Sequence, residues 1–76
     1  MGKLPTLTGK ELGKIIEKMG FVFSHQTGSH LVYKHIDGRR RTTIPYHSGD
    51  EIGPGLLNKI IKKDLKITRE EFEKYL

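Results

Sequence analysis

The sequence contains no cysteine and no long run of apolar residues. The absence of cysteine excludes disulfide bonds, thiolate metal sites and cysteine nucleophiles, and it suits a reducing cytosol. Residues 1–10 have no apolar stretch of the kind found in signal peptides, and no segment is long enough to cross a bilayer as a helix. We therefore expect a cytoplasmic protein without a membrane segment.

What the chain does have is positive charge. Lysine and arginine together number 14 against 9 aspartates and glutamates, which gives a formal net charge of +5. This balance favours a polyanionic partner, with nucleic acid ahead of a membrane surface. The 76 residues make one domain, spanning 1–76. Because so short a chain buries only about 60% of its unfolded surface, we expect an open binding face rather than an enclosed pocket.

Capping signals and apolar spacing predict three helices. Residues 8–11 have the form of a capping box, and Leu7 and Leu12 occupy the two positions of a hydrophobic staple. Gly20 suits the left-handed residue that ends a helix. A second helix is expected from Pro54, and a second capping box at 68–71 predicts a short third one. The side chains expected to point inward are Leu12, Ile15, Ile16 and Met19 in the first helix, Leu56, Leu57, Ile60 and Ile61 in the second, and Phe72 and Leu76 in the third.

The first of two expected hairpins has two possible registers. A three-residue loop ending at Gly28 pairs Phe23 with Leu31 and puts His30 on the opposite, polar face. A two-residue loop ending at Gly28 would instead put His30 on the same face as Phe21 and Phe23. We expect the three-residue loop, because it gathers the large side chains on one face and places glycine where a left-handed residue is needed.

The dipeptide Asp37-Gly38 predicts a second hairpin with a two-residue loop. This register pairs Tyr33 with Thr42. The third strand should end at Pro45, and a loop is expected from there to the second helix.

The resulting order is α-β-β-β-α followed by a short helix. It predicts an α+β fold in which helices cover one face of a three-stranded antiparallel sheet. The other face is expected to be polar and basic and to carry His30. We place His25 on the core-facing side, at the tip of the first hairpin, and His47 just beyond the third strand, near the His30 end if Pro45 stands opposite His30.

His30 is the candidate catalytic group. Imidazole gains and loses a proton near neutral pH. RNA carries its own nucleophile, the 2′-hydroxyl, so cleavage requires removal of that proton, stabilisation of the phosphorane and protonation of the leaving oxygen. Acid–base help of this kind is worth about 10²–10⁴-fold in rate. The alternative is a half-exposed strand histidine with no chemical role. His47 and His25 are possible partners of His30, although a stacking or rim role suits His25, and either could instead be a plain surface histidine.

The run Arg39-Arg40-Arg41 follows the second turn and enters the third strand. Guanidinium groups match phosphate oxygens, although a solvated charge run is the alternative. No histidine spacing with an acidic co-ligand indicates a metal site, so we expect no metal and no other cofactor. The residues expected to meet RNA are Gly28, Ser29, Lys34, Arg39, Arg40, Arg41 and His47.

These residues also carry a family resemblance. From about Thr8 to Ile61 the chain resembles the HicA (YcfA-like) toxins of HicA–HicB toxin–antitoxin systems. No single motif is decisive, but the order and spacing of the motifs in so short a chain make the match strong. The motifs are Thr-Gly-Lys-Glu-Leu at 8–12, Gly20-Phe21, Gly28-Ser29-His30, Asp37-Gly38-Arg39, Ile44-Pro45, His47 and the apolar helix at 57–61.

The resemblance implies a double-stranded-RNA-binding-like fold and a metal-independent mRNA endoribonuclease, or mRNA interferase. It also implies silencing by a HicB-type antitoxin, and it maps the family's catalytic histidine onto His30. The chain departs from the family pattern at His25 and Tyr46, where the family often has arginine, so the RNA face has fewer cations. The basic cluster of true duplex-RNA binders is absent around Pro54. A non-catalytic RNA-binding module and an adaptor for one protein partner stay open as alternatives.

Overall fold

The computed structural model describes residues 6–46 and 51–76. These residues form two antiparallel sheets and several helices. Strands β2, β3 and β4 form the larger sheet in that order, and β1 pairs with β5. Helix α2 continues directly into a π-helical segment, Ile60–Leu65. The strands are β1 Leu7–Thr8, β2 Phe21–Thr27, β3 His30–His35, β4 Arg41–Pro45 and β5 Glu51–Ile52, and the helices are α1 Gly9–Glu17, α2 Pro54–Lys59 and α3 Arg69–Glu73.

Helix α1 begins as the sequence predicts. The Glu11 backbone N–H donates to Thr8 Oγ1 (3.2 Å), and the Thr8 backbone N–H donates to Glu11 Oε1 (2.9 Å). These two bonds satisfy two of the donors that a helix start leaves unpaired. Leu7 and Leu12 are both buried, as the staple requires. After the helix, Gly20 has φ +99°, the left-handed conformation expected of it.

Helix α1 packs against β2 and β4, the π-helical segment packs against β4, and α2 and α3 contact the π-helical segment. The core lies between these helices and the larger sheet. Thr42 in β4 is also buried there, and its hydroxyl donates to Asp64 Oδ2 (2.8 Å), which ties the sheet to the π-helical segment. The α+β, double-stranded-RNA-binding-like fold is thereby confirmed. The core cluster consists of Leu7, Leu12, Ile16, Phe21, Tyr33, Ile44, Ile52, Leu57, Ile60, Ile61, Leu65 and Phe72.

The first hairpin has neither of the registers considered from the sequence. Phe23 pairs with Tyr33, Thr27 pairs with His30, and the tip is the two-residue turn Gly28-Ser29. In an unbroken ladder this tip would turn Phe23 away from the core. A β-bulge at Ser24 inserts one residue into β2 and restores the phenylalanine to the core side. The bulge reconciles a tight turn with the packing of the Phe23 ring against Tyr33 (5.6 Å between centroids), although Phe23 stays 45% exposed.

The second hairpin has the predicted register and a wider tip. Tyr33 pairs with Thr42 as expected. The His35 backbone N–H donates to the Arg40 carbonyl (2.8 Å), which closes a four-residue loop in place of the expected two-residue loop. The reason lies in Asp37, whose Oδ1 accepts from the Arg40 backbone N–H (3.2 Å) and so folds the loop around its own side chain.

Two expectations about apolar residues and loops are wrong. Leu56 and Leu76 are exposed rather than inward-facing. Leu65, in contrast, is buried and extends the second stripe, since it lies four positions after the buried Ile61 and so on the same side of the helix. The loop before α2 contains β5, and Ile52 adds to the core from it.

Candidate functional site

The face of the larger sheet that is turned away from the helices, here called the open face, is the candidate site. Residues directly opposite in an antiparallel ladder share a face, so the register fixes which side chains lie there. None of the described side chains there is acidic. Three rows cross the open face: Thr27, His30 and Pro45; His25, Val32 and Thr43; Val22, Lys34 and Arg41.

His30 is the first residue of β3 and lies exposed at the hairpin-tip end of the open face. It stands between Thr27 and Pro45, so the predicted position of Pro45 is confirmed. The Tyr46 backbone N–H donates to the Ser29 carbonyl (2.6 Å), which holds the end of β4 against the turn. Within residues 6–46 and 51–76 no hydrogen bond engages the His30 imidazole. The backbone fixes the residue while its ring is left for a ligand.

Gly28 and Ser29 form the turn that precedes His30. Gly28 has φ +56°, which L side chains rarely adopt, and a Cβ added to it would meet open space. Glycine is therefore required there by backbone conformation and not by crowding. His47, the other predicted RNA contact near this end, lies outside the described residues.

A positively charged concavity of about 320 Å³ lies at the opposite end of the open face, beside the second hairpin. Lys34 and Arg41 stand directly opposite each other on its wall, and in the described part of the chain neither forms an ion pair. Like charges in that position destabilise a sheet unless an anion lies between them. The pair thus favours an anionic ligand. The concavity is lined by Lys34, His35, Gly38, Arg39, Arg40 and Arg41.

Arg40 is placed differently from Arg39 and Arg41. Its Nε donates to Asp37 Oδ2 (2.9 Å), and one of its terminal nitrogens donates to the Leu65 carbonyl (2.8 Å). Its guanidinium carbon lies 5.6 Å from the centre of the Phe21 ring. Leu65 ends the π-helical segment, where backbone carbonyls lack helical partners. Arg40 therefore joins the second hairpin to the helical layer, while Arg39 and Arg41 are exposed.

Asp37 and His35 complete the network around Arg40. Backbone hydrogen bonds from Arg39 and Arg40, together with the Arg40 side chain, hold the pKa of the Asp37 carboxyl well below its usual range. The Asp37 backbone N–H donates to His35 Nδ1 (3.0 Å), and His35 Nε2 lies 2.9 Å from both the Met19 carbonyl and an Arg40 terminal nitrogen. Both ring nitrogens of His35 therefore have hydrogen-bond partners within the fold.

His25 lies on the open face, so its predicted place on the core-facing side is wrong. The bulge at Ser24 shifts the alternation of side chains and pairs His25 with Val32. Ser24 Oγ lies 3.0 Å from His25 Nδ1. No local pattern in the sequence marks this bulge, so spacing alone could not place His25 on the open face.

The described residues contain no group of three or more histidine, cysteine or acidic side chains that could hold a metal ion. None of the helices in the described ranges is long and apolar enough to cross a membrane.

The comparison with known protein families covers the site as well as the fold. The family of HicA toxins of bacterial toxin–antitoxin systems matches residues 9–67, from the start of α1 to just beyond the π-helical segment. The match includes His30, both hairpins and the concavity. No curated protein matches the chain. Because the family match covers well over half of the sequence, the chain belongs to the HicA toxin family.

Proposed function

We propose that this protein is the toxin of a type II toxin–antitoxin pair and a metal-independent endoribonuclease that cuts mRNA in the cytoplasm. The observation that carries the proposal is the exposed His30 imidazole on β3, which no described residue engages, in an open face whose described side chains include no acid. A polyanion is attracted to such a face. Family membership supplies the expectation of an antitoxin and of a ribonuclease.

His30 and the cations of the concavity have separate tasks. Lys34 lies four positions after His30 along β3, a distance of roughly 13 Å at about 3.3 Å per residue. This exceeds the Debye length of about 8 Å at physiological salt, so the distant cations do little for charge at the scissile phosphate. Lys34, Arg39 and Arg41 instead bind a phosphate further along the strand and hold the RNA in register. Arg40, also predicted to meet RNA, supports them from within.

Cleavage proceeds by transesterification within the RNA. The 2′-oxygen bonds to phosphorus as its proton leaves, and the bond from phosphorus to the 5′-oxygen breaks as that oxygen is protonated. The products are a 2′,3′-cyclic phosphate and a free 5′-hydroxyl. His30 acts as general base or general acid in this step. Gly28 and Ser29 let the backbone approach the RNA closely at the same end, and His47 is proposed to contact RNA there.

The test is cleavage of a defined single-stranded RNA by the purified chain in the presence of EDTA. We expect cleavage by the wild type and loss of cleavage in His30→Ala. Thr43→Ala, on the same face, is the matched control for the loss of an exposed strand side chain and should retain activity. If the wild type binds RNA in a salt-dependent way and does not cut it, the protein is a non-catalytic RNA-binding module instead.

The antitoxin, of the HicB type that the family resemblance implies, is proposed to cover the open face. Carboxylates opposite Lys34, Arg39 and Arg41 would speed the encounter, since complementary charge mainly accelerates association. Complex formation should therefore slow as salt rises, and RNA cleavage should stop in the complex. A complex in which His30 stays open to solvent would contradict this mode of inhibition.

A further inference from the structure

His25 stands beside His30 on the open face, although nothing in the proposed function uses it. After the bulge the ladder is regular, with His25 opposite Val32 and Thr27 opposite His30. His25 is therefore a diagonal neighbour of His30, and the backbones of such neighbours are roughly 7–8 Å apart. Long side chains at this separation reach the same small ligand. A phosphate group seated between the two rings would contact both.

The bulge also orients the His25 ring. Ser24 Oγ lies 3.0 Å from Nδ1, so a serine hydroxyl occupies that nitrogen and leaves Nε2 as the one facing a ligand. A hydroxyl both donates and accepts, so it serves the ring with or without a proton on Nδ1. His25 itself is exposed, and within the described ranges no acidic side chain pairs with it.

We propose that His25 is a second catalytic residue and that His25 and His30 divide the two proton transfers of RNA cleavage. One neutral imidazole accepts the 2′-hydroxyl proton as the 2′-oxygen bonds to phosphorus. The other, as imidazolium, donates a proton to the 5′-oxygen as its bond to phosphorus breaks. The two rings end with exchanged protonation states, so protons balance and no further reactant is needed. This assignment rests on the proposed ribonuclease function.

Arginine at position 25, the residue that the family often has there, separates catalysis from charge, so the variant tests whether His25 gives this chain chemistry beyond the family pattern. His25→Arg keeps a cation on the open face, but arginine stays protonated and cannot exchange a proton at neutral pH. We expect RNA binding by His25→Arg to be at least as tight as wild-type binding, with kcat lowered by about 10²-fold or more. Wild-type kcat in His25→Arg would overturn the proposal. Thermal unfolding of the variant checks that the exposed substitution leaves the fold intact.

A substrate with sulfur in place of the 5′-bridging oxygen assigns the two roles. A thiolate leaves without being protonated, so it makes the general acid unnecessary. On this substrate, only one of the two variants His25→Ala and His30→Ala should recover the wild-type rate, and the one that recovers has lost the acid. Rescue of neither variant, or of both, would overturn the division of labour.

Failure of this inference can be told from failure of the proposed function. If the wild type does not cut RNA, or if His30→Ala cuts it normally, the proposed function is wrong whatever position 25 does. If the wild type is active, His30→Ala is inactive and His25→Arg is normal, the ribonuclease stands and His25 has no chemical role.

Discussion

The two ends of the larger sheet show opposite ways of using polar side chains. At the tip of the first hairpin, backbone bonds and a bulge fix the strands, and His30 has no partner among the described residues. At the tip of the second, side chains do the fixing: Asp37, Arg40 and His35 bond to the backbone and to one another. A polar side chain is available to a ligand only where backbone bonds, and not that side chain, hold the strand in place.

The largest expected effect comes from breaking the chemistry at the first end. His30→Ala should lower the rate of RNA cleavage by about 10²–10⁴-fold, the typical contribution of one acid–base group. Because the side chain is exposed and makes no hydrogen bond in the described part of the chain, the unfolding temperature should stay within a few degrees of wild type. Cleavage kinetics and thermal unfolding on the same sample measure both quantities. A large drop in stability would show that His30 belongs to the structure.

Whereas His30→Ala should mainly lower the rate of cleavage, Arg40→Ala at the second hairpin should mainly lower stability. It removes the hydrogen bonds to Asp37 and to the Leu65 carbonyl, and the side chain that makes them is 25% exposed. Hydrogen bonds with a charged partner contribute about 1.5–3 kcal/mol each, so we expect a loss of roughly 2–3 kcal/mol in the free energy of unfolding. For a chain of this size, that lowers the unfolding temperature by about 10 °C or more.

Arg41→Ala is the matched control for Arg40→Ala. It removes the same side chain one residue later, where it faces Lys34 across the ladder and has no acidic partner among the described residues. Relief of that repulsion should leave stability equal to or slightly above wild type. Equal losses of stability in the two variants would contradict the division between a structural and a ligand-facing arginine.

The salt dependence of RNA binding tests the ligand-facing cations directly. Removing Arg39 and Arg41 together should reduce the slope of log K against log salt by about 1.4, at roughly 0.7 for each phosphate contact to a single strand. The double variant Lys62→Ala, Lys63→Ala removes two exposed lysines from the helical layer and should leave the slope unchanged. If the lysine variant lowers the slope and the arginine variant does not, RNA binds the helical face.

The features that the sequence predicted correctly are those that short-range rules determine. The capping box at Thr8, the glycine after α1 and the register of the second hairpin each depend on residues a few positions apart, and all three are confirmed. The bulge at Ser24 has no local signal, because it results from a conflict between a turn and a strand face that only the packed core decides. His25 was misplaced for that reason.

The sequence also did not predict that the three adjacent arginines would have different contacts. Arg40 differs from its neighbours because its strand parity turns it towards Phe21 and the Leu65 carbonyl, which is 25 residues away in the sequence. Charge runs are read from composition, whereas the use of each charge depends on what the fold brings opposite it. The open face could thus be predicted from alternation, and its exact membership could not.

The smallest expected effect is the acid sensitivity of the second hairpin. The hydrogen bonds from Arg39 and Arg40 depress the pKa of Asp37 below its ordinary value of 3.8 in the folded protein. A carboxyl with a depressed folded pKa contributes stability that is fully present above the unfolded pKa and is lost as the pH falls through the folded one.

Asp37→Asn removes this contribution while keeping an oxygen that can accept both backbone N–H groups. The wild type should therefore unfold at a higher temperature than Asp37→Asn near neutral pH, and the gap should narrow as the pH falls below about 4. The other carboxylates titrate in both proteins, so the difference between the two unfolding curves isolates Asp37. A gap that stays constant down to pH ~2 would mean that the Asp37 charge does not stabilise the hairpin, and that the bonds to its neutral oxygen alone hold the loop.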